Sequence, residues 1–137
     1  MDFAANASLW FRSGGDLRHC RIEDGLLVAE SVGPEPVFVG PPVMDLDGSA
    51  VDVVHIRMRA SAGRQARLEY TTEDDREWSE DKRLPFEIVA DGALHDYALP
   101  VGDAQAWRGS VIRQFRLIPT DAPAQIAVDL FETQGGD

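Results

Sequence analysis

Apolar and polar residues alternate in short runs along this chain, and turn-forming residues separate the runs. A period of two places successive side chains on opposite faces of a β-strand. No helical run of any length stands between residues 67 and 131, and a single helical turn is predicted at residues 103–108. Strands are predicted at residues 9–11, 18–23, 26–30, 37–39, 43–46, 51–60, 66–72, 84–89, 95–99, 111–118 and 126–131.

Segments rich in glycine, proline and aspartate stand between these runs and predict tight turns or positions with positive φ. They lie at residues 13–16, 24–25, 33–36, 40–42, 47–48, 62–63, 91–92 and 102–103. Many short strands with regular turns are typical of a sandwich or barrel. We predict an all-β, antiparallel β-sandwich of jelly-roll type, formed as one domain over residues 1–137 with a core at about 8–132.

The alternation assigns a core face and a polar face to the longer strands. Leu68 and Tyr70 are predicted to point inward, and a cross-strand pair of Glu69 with Arg57 or Arg116 fits the polar face. One sheet face is therefore predicted to carry a polar, largely cationic set: His55, Arg57, Arg59, Arg67, Glu69, Gln114 and Arg116.

Charge narrows the choice of partners. The chain has 24 acidic residues against 13 Lys plus Arg, a formal net charge of −11. A field of this sign opposes phosphate backbones, so we expect no nucleic-acid partner. No apolar run is long enough to span a bilayer, so no membrane insertion is expected.

The two ends of the chain carry little targeting information. Residues 1–8 lack the basic and apolar regions of a signal peptide, so we identify none in this chain. Residues 133–137 form a polar, glycine-containing tail or the start of a linker, which predicts a domain of a longer protein.

The single cysteine and the scattered histidines offer no obvious chemistry. Cys20 is the only cysteine and is predicted to fill the core rather than to act as a nucleophile. With three histidines, no zinc-ligand spacing is present. The chain also lacks a nucleophile elbow, a phosphate loop and a dinucleotide fingerprint. We therefore do not expect an enzyme.

Several motifs in sequence order resemble those of galactose-binding-like jelly-roll modules attached to bacterial polysaccharide-handling proteins. The resemblance covers residues 16–131, nearly the whole chain, and is more specific for fold than for ligand. It implies a carbohydrate-binding or accessory domain beside a glycan-processing enzyme. The motifs are Asp24-Gly25-Leu26-Leu27, the alternating residues 54–59, the acidic segment 72–80, the hairpin 91–97, Trp107-Arg108-Gly109 and Arg116-Leu117-Ile118-Pro119.

Aromatic side chains are the first candidates for a sugar site, because sugar C–H faces stack on exposed rings. Trp107 and Tyr97 are predicted to be structural, and Trp10 is unassigned. Trp78 lies in a charged segment between strands. It is the better ligand candidate, although a role as a cap on the core fits equally well.

The arginines allow two interpretations. His55, Arg57 and Arg59 could hold the carboxylate or sulfate of an acidic glycan, because arginine presents a planar fork of donors. The alternative, which we favour at this point, is a solvated sheet face of weak salt bridges.

Acidic loops raise the question of calcium, which binds oxygen ligands. Asp45-Leu46-Asp47 and Glu73-Asp74-Asp75 concentrate carboxylates, but neither is an EF-hand loop. The family resemblance implies one structural Ca²⁺ between the terminal strands, with Glu23, Asp24 and Asp129 at the matching positions.

The sequence thus predicts a non-catalytic carbohydrate-binding or accessory module with Trp78, His55, Arg57, Arg59, Arg67, Glu69 and Arg116 as candidate ligand-binding residues. Two alternatives remain. A docking domain would show a broad exposed apolar patch. A small lyase or hydrolase would show a deep pocket with a pKa-shifted acid or base.

Overall fold

The structure is a computed structural model that describes residues 12–40, 46–79, 82–104 and 106–134. Within these residues the chain forms antiparallel strands and two short 3₁₀ turns, at Gly48–Ala50 and Val101–Asp103. The described residues contain no helix longer than these turns. The strands are β1 (Arg12–Glu23), β2 (Leu26–Val39), β3 (Leu46–Asp47), β4 (Val53–Ala60), β5 (Gln65–Thr72), β6 (Arg83–Glu87), β7 (His95–Leu99), β8 (Val111–Ile118) and β9 (Ala124–Gln134).

The predicted all-β fold is confirmed, and most strands lie where alternation placed them. β8 has the predicted bounds, and β9 runs to Gln134, into the segment predicted as a tail. The predicted strand at 9–11, Trp10 and residues 43–45 lie outside the described residues. No helix among the described residues has the length and apolar character needed to cross a bilayer.

One long strand joins the two layers of the sandwich. The strands follow the order β6-β5-β8-β2-β9-β4-β7, with β1 paired to β2 and β3 to β8. Phe38 and Val39 of β2 pair with β8, whereas the Leu27–Ser31 part of β2 pairs with β9. Because β2 contributes to both layers, the sandwich is nearly closed, and β6 and β7 are the ends of the path.

A single apolar core lies between the layers. Ile56 of β4 and Leu68 of β5 belong to the same buried cluster. Trp107, with no exposed surface, meets Tyr70 edge-on at a centroid distance of 4.9 Å and stacks on Phe115 at 5.6 Å. The structural role predicted for Trp107 is confirmed. Partly buried Cys20 packs against this cluster, and burial raises the pKa of its thiol.

A tight turn at residues 13–16 or 33–36 is wrong, because both segments belong to the long β1–β2 hairpin, whereas a positive φ is found at Gly15, at 58°. Their glycines permit close approach rather than a reversal. A Cβ on Gly15 would lie 2.1 Å from the carbonyl oxygen of Glu35, and one on Gly33 would lie 2.5 Å from an Asp16 carboxylate oxygen. That carboxylate accepts the N–H of Glu35 at 2.9 Å.

The reversal of this hairpin occurs at Asp24-Gly25, as predicted. The two residues have φ of 53° and 79°, and Glu23 pairs with Leu26 directly across the turn. Positive φ at both central residues is the signature of a type I′ turn, which matches the twist of antiparallel strands.

Substitution of Gly15 tests this packing. Gly15 has φ of 58° and no room for a Cβ, so Gly15→Ala is expected to lower the free energy of unfolding by about 2–3 kcal/mol. Gly14→Ala is the control, because its Cβ would lie 3.8 Å from Val37, an ordinary contact, and should cost less than about 1 kcal/mol. Denaturant unfolding measures both; equal effects would contradict the proposed role of Gly15.

Candidate functional site

A buried carboxylate surrounded by arginines lies on the outer face of β5. Glu69 is 1% exposed although it points away from the core. The strand register places Arg116 of β8 on one side of it and Arg83 of β6 on the other. Arg116 donates from Nε and Nη2 to Oε1 at 2.5 Å, while Nε of Arg67 and of Arg83 lie 2.5 and 3.0 Å from Oε2. The predicted pair Arg116–Glu69 is confirmed.

A second carboxylate extends this network. Nη2 of Arg67 donates to Glu35 of β2 at 2.7 Å. Burial would lower the pKa of Arg67, but the hydrogen bonds to Glu69 and Glu35 outweigh it and raise that pKa above its usual value. The ion pairs with Glu69 and Glu35 therefore fix the orientation of the Arg67 guanidinium.

Trp78 completes the surface from the loop between β5 and β6. The guanidinium carbon of Arg116 lies 4.3 Å from the centroid of its ring, within cation–π range. The side chain is partly buried, and one ring face is covered by Arg116. We name this surface the arginine platform, formed by Arg67, Glu69, Arg83, Arg116 and Trp78.

Buried Lys82 holds the loop that carries Trp78. Lys82 is 3% exposed, and its Nζ donates to the carbonyl oxygens of Asp75 at 2.8 Å and Glu77 at 2.5 Å. Its Nζ also lies 2.9 Å from the Asp75 carboxylate. A hydrogen bond from Lys82, with another from the Glu77 N–H, holds the pKa of Asp75 below its usual value. These contacts of the buried Lys82 hold the loop in place from its inner side.

Sequence reasoning missed both Arg83 and Lys82. The predicted strand began one residue too late, at Leu84, although the alternation of apolar Leu84 and Phe86 places Arg83 on the outer face with Glu69. That signal could have identified Arg83. Nothing in the sequence marks Lys82, because a lysine next to a strand is ordinarily solvated.

The predicted single cationic face is wrong. His55, Arg57 and Arg59 belong to β4, which lies in the other layer from β5 and β8. Both layers direct their apolar residues into one core, so the polar residues of β4 lie on the opposite outer face from the arginine platform. Nε of Arg57 lies 3.5 Å from Asp129 and 3.9 Å from Asp96, so the pair predicted with Glu69 does not form.

The candidate calcium ligands are largely engaged with other groups. Glu23 pairs with Arg21 at 2.9 Å, Asp129 pairs with Arg57, and Glu73 pairs with Arg113 at 3.2 Å. Asp47 accepts the Ser49 N–H at 2.9 Å. In the ranges that the structure describes, no three His, Cys, Asp or Glu side chains form a group that could hold a metal ion. Calcium stays a prediction of the sequence.

The hairpin aromatics lie in structural positions. The hydroxyl oxygen of Tyr97 accepts the Val89 N–H at 3.0 Å, and its ring lies 5.3 Å from that of Phe86. His95 Nε2 lies 2.9 Å from Asp91. The backbone N–H of Ala93 and the side chain of His95 hold the pKa of Asp91 below its usual value.

Comparison with known proteins extends the description of the fold. No protein-family model matches the sequence, and a search of curated proteins gives no match. A mutant of a family 29 carbohydrate-binding module is similar in structure, with a TM-score of 0.64, 9% identity, and coverage of 91% of this chain and 82% of that one. The family 11 module of the cellulosomal cellulase Lic26A-Cel5E of Clostridium thermocellum has a TM-score of 0.60 at 12% identity. This match covers 92% of this chain and 86% of that one.

Two further observations concern these structural neighbours. PfGH50B gives a TM-score of 0.66 at 9% identity, and the match covers 93% of this chain but 22% of that one. Other family 29 modules with this fold are complexed with cellulohexaose and with mannohexaose. At these identities the comparisons show a shared fold, which is the jelly roll of carbohydrate-binding modules.

Removal of the central charge tests the platform. Glu69→Gln leaves three guanidinium groups around an uncharged amide, and we expect it to lower the free energy of unfolding by about 3–5 kcal/mol. Glu73→Gln is the control, since Glu73 also pairs with an arginine but its side chain is 52% exposed, and it should cost about 1 kcal/mol or less. Denaturant unfolding compares them; equal small effects would show that the network does not stabilise the fold.

Proposed function

We propose that this domain is a non-catalytic carbohydrate-binding module that holds an acidic glycan on the arginine platform. The observation that carries the proposal is the placement of Trp78 and three oriented guanidinium groups on one outer face of a fold shared with carbohydrate-binding modules. An aromatic ring offers a surface for sugar C–H groups, and arginines offer donors for oxygen atoms.

Unused hydrogen-bond donors support a binding role. Each guanidinium carries five N–H donors, and Glu69 engages mainly the Nε positions. The side chains of Arg67, Arg83 and Arg116 are 23%, 39% and 24% exposed, so part of each fork remains accessible to a ligand. Because Glu69 already fixes these side chains, binding costs less conformational entropy.

Local charge supports an acidic ligand. Three guanidinium groups around one carboxylate leave the platform with a formal charge of +2, or +1 when Glu35 is counted, in a chain whose net charge is −11. Arginine pairs with planar carboxylates and with sulfates through two parallel hydrogen bonds. A uronate or a sulfated sugar residue fits that chemistry.

The burial and the arginine contacts of Glu69 support a non-catalytic role for the domain. Among the described residues it is the only carboxylate in the buried set, and three arginines hold it as a counter-ion. Both carboxylate oxygens of Glu69 are therefore occupied by arginines and are not available to contact a substrate. The docking alternative receives less support, because the large apolar side chains exposed within the described residues are Val32 and Val89 alone.

The proposal extends to the setting of the domain. In PfGH50B, the segment with this fold is about a fifth of the chain, since the match covers 22% of it. This supports the proposal of an accessory module beside other domains of a longer protein.

Substitution of Trp78 tests the aromatic contribution. We expect Trp78→Ala to weaken binding of the best acidic hexasaccharide from a panel of oligogalacturonate, chondroitin sulfate, cellohexaose and mannohexaose by about tenfold, and Trp78→Phe to weaken it by less. Calorimetric titration measures affinity, and circular dichroism verifies folding. Unchanged affinity in folded Trp78→Ala would exclude Trp78 from the site.

Salt dependence tests the charge of the ligand. Affinity for the acidic hexasaccharide should fall severalfold between about 0.05 and about 0.5 M NaCl, because screening weakens exposed ion pairs. Arg83→Gln should reduce both the affinity and this salt response, whereas Arg108→Gln, which removes an exposed cation outside the platform, should change neither. A salt-independent affinity would contradict recognition of an acidic glycan.

A further inference from the structure

The outer face opposite the arginine platform contains a polar cleft of about 360 Å³. It is formed where the β1–β2 turn meets the outer faces of β9 and β4. This volume lies within the range of small-ligand pockets. The lining residues are Arg21, Glu23, Asp24, Leu26, Val28, Arg59 and Gln125.

We propose that this cleft is a second saccharide site and that it binds a neutral sugar residue directly, without a metal ion. Arg59 and Asp24 carry the argument, because both line the cleft. Neither side chain makes a hydrogen bond or an ion pair in the part of the chain that the structure describes. Arg59 is partly buried, and the lack of such a partner among the described residues leaves its guanidinium donors available to a ligand.

The other polar groups of the cleft are already ordered. Arg21 donates to Glu23 and to the carbonyl oxygen of His19, both at 2.9 Å. The side-chain amide of Gln125 donates to Glu30 at 3.2 Å, which leaves its carbonyl oxygen as an acceptor. Asp24 is held by the two-residue turn at a φ of 53°. A ligand would therefore meet a largely preformed site.

Charge balance selects the class of ligand. Arg21 and Arg59 offset Glu23 and Asp24, so the formal charge of the lining is zero. A hydroxyl both donates and accepts, so adjacent sugar hydroxyls can donate to the Asp24 carboxylate and accept from the Arg59 guanidinium. Leu26 and Val28 give the floor an apolar part suited to a C–H face. An anionic sugar would instead meet the unpaired carboxylate of Asp24.

This inference does not depend on the arginine platform, since the two surfaces lie on opposite faces of the sandwich and involve different residues. The arginine platform carries excess positive charge, whereas the formal charge of the cleft lining is zero. The domain would then bind two glycan segments at once, an acidic one that responds to salt and a neutral one that does not.

The experiment uses cellohexaose and mannohexaose as probes at millimolar concentration. Amide and side-chain NMR shifts locate each probe, and calorimetry gives its affinity. Arg59→Met keeps the length of the side chain without its donors. Asp24→Asn removes the charge and tolerates the positive φ. Arg57→Met is the matched control, because Arg57 lies on the same strand and outer face but outside the cleft.

We expect at least one probe to shift the amides of Gly25 and Gln125 with an affinity that does not change between low and high salt. Arg59→Met and Asp24→Asn should each weaken it by about tenfold. Arg57→Met and a calcium chelator should leave it unchanged.

Three results would overturn the inference: no shifts at the cleft with either probe, retained affinity in folded Arg59→Met, or binding that requires calcium. Acidic hexasaccharide binding in Arg59→Met reports on the platform alone. The two proposals can therefore fail separately.

Discussion

A buried carboxylate cannot remain charged without partners, and Glu69 has three. The need for these partners determines where the side chains around Glu69 lie. Arg116 must reach Glu69 from β8, which orients its guanidinium above Trp78. Trp78 can occupy that position because Lys82 anchors its loop from beneath. The ion network around Glu69 therefore also brings one ring and three guanidinium groups together on one outer face.

The long strand β2 is the reason that the sandwich has two separate outer faces. Because its two ends pair with different layers, the sheet folds over itself and encloses one core. The outward-pointing residues of the paired strands then lie on one of two opposite faces of the sandwich. The arginines of β4 are separated from those of β5 and β8 for this reason, and the β4 face acquires its own cleft.

The two faces differ in how their arginines are used. On the platform, excess guanidinium groups surround a single carboxylate, and the remaining positive charge is the reason for proposing an acidic sugar as the ligand. In the cleft, Arg21 is neutralised by Glu23, and Arg59 and Asp24 stay available. The two proposed sites, one cationic and one of zero formal charge, would let a single small domain contact chemically different parts of a polysaccharide.

Alternation and turn chemistry alone determined the all-β class, the bounds of β8, the Asp24-Gly25 reversal and the burial of Tyr70, because period and φ preference are local properties. The burial of Trp107 followed instead from the usual place of large aromatic side chains in cores. The sequence also paired Arg116 with Glu69. Local pattern did not distinguish a tight turn from a close contact between strands at residues 13–16 and 33–36, and it assigned the polar residues of β4 to the wrong face. Only the tertiary structure decided these points, together with Lys82 and the cleft at Arg59, because each depends on which distant strands become neighbours.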